Sequence, residues 1–113
     1  MNFEKEVRDG VLVLRVGEAN FNFTVAVAFR GYAREALEES GAARLVLDLA
    51  PVEFVDSLGV GMIAAVAAGL KSRGGGVAIA NASSIVRTAM EAVRLETVVS
   101  FHESVEAAIR SGK

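Results

Sequence analysis

Two short apolar runs constrain this chain most: LVLDL at Leu45–Leu49 and VAIA at Val77–Ala80. Each is too short for a helix, and each is apolar at nearly every position. That is the pattern of a strand buried on both faces, as found in parallel sheets covered by helices. The segments around them fit such a sheet. Val25–Glu39 places Phe29, Ala33, Ala36 and Leu37 on one helical face, with charged residues on the other sides, and Gly41 stops it. Leu58–Arg73 reads as a second helix, ended by Gly74-Gly75-Gly76. Ser84 precedes a third, with Ile85, Val86, Ala89, Met90 and Val93 on one stripe.

The flanks complete the pattern. Phe3–Val7 and Val11–Val16 read as strands joined at Arg8-Asp9-Gly10, because Asp-Gly tolerates the positive φ of a tight hairpin. Thr97–Phe101 reads as a last strand and Glu103–Arg110 as a terminal helix with Val105, Ala108 and Ile109 inward. The order β-β-α-β-α-β-α-β-α predicts an α/β domain. It has a mostly parallel central sheet, an N-terminal β-hairpin, about four helices and right-handed crossovers. A length of 113 residues suits one domain over residues 1–113. The first few residues and Ser111-Gly112-Lys113 are the expected loose ends.

Composition narrows the functional classes. Lysines and arginines are scattered and the net charge is −2, so the basic footprint of a nucleic-acid binder is missing. There is no cysteine and one histidine, His102, which removes disulfides and Cys/His zinc sites. Aromatic residues are 6% of the chain, too few for an aromatic-lined pocket, and no cofactor is expected. The longest uncharged apolar stretch, Ser57–Leu70, falls short of the roughly 20 residues of a membrane span. The start MNFEKEVRDG has no signal-peptide character, so a soluble cytoplasmic protein is expected.

The segment most suggestive of function is VDSLGVGMI, where Asp56-Ser57 stands at a helix start. Two readings follow from the residues. Ser57 is a good N-cap, since its hydroxyl accepts from free N–H groups of the first turn. A helix N-terminus also stabilises an anion, so a phosphoserine there would be tolerated and would add about −1.5 to −2 charge. Asp56 and Glu53 already make the patch acidic, and the added charge would repel an acidic partner surface. Gly59 and Gly61 lie in the first turns, where each costs roughly 1 kcal/mol against alanine. They serve either close approach by another chain or tight packing of helix on sheet.

The pattern V-D-S-x-G-x-G after an apolar strand resembles the STAS domain family, of the anti-sigma factor antagonist type. The ending VAIANASSIVRTAMEAVRLETVVSFHESVEAAI resembles that family's closing strand, helix, strand and helix, so the likeness covers nearly the whole chain. The resemblance implies a non-enzymatic regulatory module in which Ser57 is the phosphoacceptor and Asp56 helps present it. A partner anti-sigma factor that is also a serine kinase would add the phosphate, and a PP2C-type phosphatase would remove it. The unphosphorylated form would bind the anti-sigma factor. The partner-binding residues would be Asn20, Phe21, Phe23, Asp56, Ser57, Leu58, Gly59 and Gly61. The alternative is a non-phosphorylated STAS subunit of a lipid-transport ATPase complex or signalling scaffold.

Three departures from the family pattern stand out. Leu58 occupies the place of a frequent second serine, Gly17-Glu18-Ala19-Asn20 replaces Gly-x-Leu-Asp, and Arg94 replaces a glycine after the third helix. Phe21 and Phe23 sit two apart in an expected loop, as an exposed anchor or packed on the first helix. His102 reads as a surface or capping residue. Gly74-Gly75-Gly76 follows a helix and lacks the G-K-[ST] ending, so it reads as a turn and not a phosphate loop. A hydrolase role for Ser57 lacks both the G-x-S-x-G elbow and a base.

Overall fold

The hairpin forms as its turn residues dictate. Strand β1 (Phe3–Arg8) pairs antiparallel with β2 (Val11–Val16), Arg8 opposite Val11. Asp9 and Gly10 between them both take positive φ, 54° and 76°, in keeping with a tight hairpin turn. The computed structural model describes residues 1–112, and Lys113, one of the expected loose ends, lies outside them.

From β2 onward the sheet is parallel. It adds β4 (Arg44–Asp48), β6 (Gly76–Ala80) and β7 (Val99–His102) in the spatial order β1-β2-β4-β6-β7. Between them run α1 (Phe23–Ser40), α2 (Ser57–Lys71) and α3 (Ser84–Ala92), and α4 (Val105–Arg110) closes the chain. Alternation along the strands divides the core in two. Leu12, Leu14, Leu45, Leu47, Val77 and Ile79 meet α1, α2 and α3 on one face. Val11, Val13, Val46, Ala78 and Ala80 meet Ala108 of α4 on the other. The expected mostly parallel sheet with a hairpin and four helices is the architecture observed.

Several local readings are corrected. Ser83, not Ser84, caps α3, accepting from the Val86 amide. Its buried residues are Val86 and Met90, one turn apart, while Ile85 and Val93 are exposed. Ile85 sits about 100° around the helix from Val86, outside the narrow contact stripe. Val93 lies beyond the last helical turn, so the helical period no longer aims it. Leu95–Thr97 is a 3-10 turn, so the last strand starts at Val99. Ser104 caps α4 through the Ala107 amide, which moves that helix start past Glu103.

Two further strands escape the apolar pattern because each has two residues. β3 (Asn20–Phe21) and β5 (Phe54–Val55) pair in parallel, Asn20 opposite Phe54 and Phe21 opposite Val55. They replace the expected loop at Asn20–Phe23 and form a small separate sheet at the head of α1 and α2. Asp48, at the end of β4, steers the chain toward it. Its buried carboxylate accepts from the Arg15 guanidinium (3.1 Å), the Asn81 amide (3.1 Å) and the Ala50 backbone N–H (3.1 Å). A buried charge held by three donors is satisfied, and here it fixes the turn that leads to β5.

Candidate functional site

The site is where two helices start side by side. Asn22 caps α1, its side chain accepting from the Val25 amide at 3.1 Å. Asp56 caps α2, its Oδ1 accepting from the Gly59 amide at 2.7 Å. The other oxygen of the same carboxylate, Oδ2, accepts from the Phe23 amide at 3.2 Å, in the first residue of α1. One side chain therefore satisfies orphan donors of two helices and ties their N-termini together.

This corrects the role read for Ser57. The cap is Asp56, and Ser57 is the first helical residue. Ser57 is exposed, and its hydroxyl has no hydrogen-bond partner among the described residues. Of the two readings of Ser57 the cap is thereby set aside: the aspartate holds the helix and leaves the serine hydroxyl open to solvent.

The two glycines divide the two explanations between them. A Cβ on Gly59 would run into the carbonyl oxygen of Phe21 and lie 2.8 Å from that residue's ring. Gly59 is therefore required by packing of α2 against β3. Gly61, two residues on and so toward the opposite side of the helix, is exposed, and a Cβ there would meet nothing within 4 Å. Glycine in a helix interior costs roughly 1 kcal/mol against alanine and gains nothing here from the fold itself. Gly61→Ala is accordingly expected to stabilise the isolated protein by about 0.5–1 kcal/mol, read as a rise of a few degrees in thermal midpoint.

Phe21 and Phe23 also separate. Phe21 is 1% exposed and packs edge-on to Phe29 of α1, with centroids 5.5 Å apart. It props the site from below and does not face a partner. Phe23 is 49% exposed. With Val27 one turn along α1, and with Phe54 and Leu58, it leaves large apolar side chains in solvent on the elements that flank Ser57. Asn20 is exposed on β3. The structure thus leaves Asn20, Phe23, Asp56, Ser57, Leu58 and Gly61 at the surface and buries Phe21 and Gly59. Sequence reading missed Phe54 and Val27. Their signal was weak, since one apolar residue in a two-residue strand and one on a helix flank show no period.

Other chemistry is thin. Among the described residues no group of His, Asp and Glu is placed to hold a metal ion, and no helix is long and apolar enough to cross a membrane. His102 Nε2 lies 2.8 Å from the Ser100 hydroxyl. Partial burial, with Arg44 adding to it, lowers its pKa from the ordinary histidine value.

Comparison with known proteins agrees with the fold. The model of the STAS domain matches residues 2–108. A protein of Thermotoga maritima assigned as an anti-sigma factor antagonist superposes with a TM-score of 0.87, covering 96% of this chain and 92% of that one at 22% identity. The Bacillus anti-sigma factor antagonist SpoIIAA matches in its unphosphorylated form with a TM-score of 0.79, over 97% of this chain and 96% of that one at 20% identity. Its phosphorylated form matches with a TM-score of 0.73, over 97% and 99%, also at 20% identity. With the family model spanning nearly every residue, and this sheet order and helix placement beneath it, the chain belongs to the STAS domain family.

Proposed function

We propose that this protein is a regulatory protein-binding module of the anti-sigma factor antagonist kind, switched by reversible phosphorylation of Ser57. A partner anti-sigma factor acting as a serine kinase adds the phosphate, and a PP2C-type phosphatase removes it. The observation that carries this reading is the division of work at the head of α2. Asp56 performs the cap, which leaves the Ser57 hydroxyl exposed, unbonded and free to react. A serine needed only for capping would be engaged with the backbone.

The surroundings support a switch that leaves the fold alone. A phosphate on Ser57 stands at a helix N-terminus, where free N–H groups and the helix dipole favour an anion by roughly 0.3–1 kcal/mol. That SpoIIAA shares this fold in both phosphorylation states supports the same view. The effect falls on the surface instead. About −1.5 to −2 charge enters beside Asp56, amid the exposed Phe23, Phe54 and Leu58. Apolar side chains that dock dry against a partner lose that contact when a strongly hydrated dianion sits among them.

The test uses kinase-type anti-sigma factors from the organism that encodes this protein. Incubation with one of them and ATP is expected to add one phosphate, located at Ser57 by mass spectrometry, and Ser57→Ala abolishes the addition. Ser57→Asp is expected to weaken binding to the same partner by at least about tenfold, or roughly 1.4 kcal/mol, with an unchanged melting curve. A phosphate at another residue, or a Ser57→Asp protein that binds like wild type, would overturn the reading.

A further inference from the structure

Away from Ser57, α1 and α2 run side by side and enclose a groove of about 450 Å³. Ala65 and Gly69, one turn apart on α2, give it a shallow floor, and Arg30, Arg34 and Arg73 rim it together with Glu38. Among the described residues none of these three guanidinium groups has an ion-pair partner or side-chain hydrogen bond. Lys5, Arg8, Arg15 and Arg87, by contrast, each pair with a carboxylate of the chain. Arg30 and Arg34 are four residues apart on one helix, where like charges repel. The fold therefore sets three guanidinium groups against one carboxylate, Glu38, around this groove, a cationic excess on a chain whose net charge is −2.

The spacing of the charges indicates the occupant. Arg30 and Arg34 are separated by one turn of α1, about 6 Å along the axis. Arg34 lies on α1 and Arg73 in the turn that follows α2, on the two sides of the groove. A single small anion needs donors that converge on one point. Two donors one turn apart, with a third across an apolar floor, match carboxylates three or four residues apart on another helix. We infer that the α1–α2 groove is a docking site for an acidic amphipathic helix of a protein partner, its apolar face on Ala65 and Gly69 and its carboxylates on Arg30, Arg34 and Arg73. Gly69 lies about 18 Å along α2 from Ser57, so the groove is a separate surface. One partner of ordinary footprint covers both.

The probe is a fluorescent 16-residue helical peptide of alanine and leucine with glutamates one turn apart along one edge. Anisotropy titration against the full-length protein is expected to give saturable binding that weakens with added salt. R30Q/R34Q/R73Q, whose changes are all exposed and leave the melting curve in place, is expected to weaken it at least about tenfold. A peptide with glutamine in place of every glutamate is expected to fail. In NMR titration the shifted amides are those of Arg30, Arg34, Ala65, Gly69 and Arg73, and Ser57→Asp leaves binding unchanged. Equal binding of the glutamine peptide, or shifts centred on Ser57, overturns the inference. So does displacement of the peptide by millimolar inorganic phosphate, which would mark a small-anion site. A dimer in sedimentation that the triple variant abolishes also overturns it, by assigning the groove to a second copy. Failure of the Ser57 phosphorylation assay leaves this result standing, since no step here involves that residue.

Discussion

Phe21→Ala is expected to destabilise the protein by about 3–5 kcal/mol, the usual loss for a fully buried phenylalanine. The side chain is 1% exposed, and its edge-on contact with Phe29 adds about 0.5–1.5 kcal/mol beyond the area it buries. The cavity would open directly under the small β3–β5 sheet, with the Gly59 contact on one side and the head of α1 on the other. Small domains have about 5–15 kcal/mol in total, so the variant stands close to the folding threshold. Urea denaturation reads the loss as a shifted midpoint. Phe23→Ala is the internal control. That residue is half exposed, so its removal is expected to move stability by no more than about 0.5 kcal/mol while weakening the partner complex. Two phenylalanines two residues apart thus give opposite results, one in folding and the other in binding. Equal destabilisation by both would refute this division.

Asp56→Ala is expected to cost about 1–3 kcal/mol, more than an ordinary cap. Loss of a capping side chain alone costs about 0.5–2 kcal/mol, and here the Phe23 amide loses a charged acceptor as well. Asp56→Asn separates the two contributions. An asparagine keeps one acceptor oxygen for the Gly59 amide but turns its NH₂ toward the Phe23 N–H, donor against donor. Its stability is expected to fall between wild type and alanine. Hydrogen exchange locates the damage: in Asp56→Ala both amides exchange faster, and in Asp56→Asn only that of Phe23 does. If exchange at Phe23 is unaffected in both, the bridge between the helices contributes nothing.

The sheet was legible because its central strands are apolar on both sides, and no other element gives that signature at five residues. The hairpin was legible because Asp9-Gly10 has few other uses. The site was legible as a place, not as a set of roles. Aspartate and serine cap about equally well, so adjacent Asp56 and Ser57 leave the cap ambiguous by one residue until the backbone settles it. Phe21 faces inward because a two-residue strand alternates its sides, and a strand of that length cannot be recognised from a period. Gly59 and Gly61 look alike in sequence, and only the Phe21 carbonyl over one of them tells them apart. Arg94, set where the family often has glycine, does adopt the left-handed conformation, with φ of 60°. The arginine bears that conformation at a cost of roughly 1–2 kcal/mol. The arginine rim gave no signal at all, because Arg73 is more than thirty positions from Arg30 and Arg34 across the groove.

The strand order β1-β2-β4-β6-β7 has a consequence for how the molecule is made. Within this sheet each strand joins beside the one before it, and none is inserted between two earlier ones. A ribosome delivers a chain from its N-terminus at about 5–20 residues per second, slowly compared with the pairing of a strand. The growing sheet can therefore be laid down in the order of synthesis, always on the same advancing edge. The residues that form the β3–β5 and Asp56–Phe23 pairs have all been synthesised before β6 leaves the ribosome. The surface around Ser57 belongs to the part of the molecule delivered first; β7 closes the far edge last, and α4 then covers the second face of the sheet.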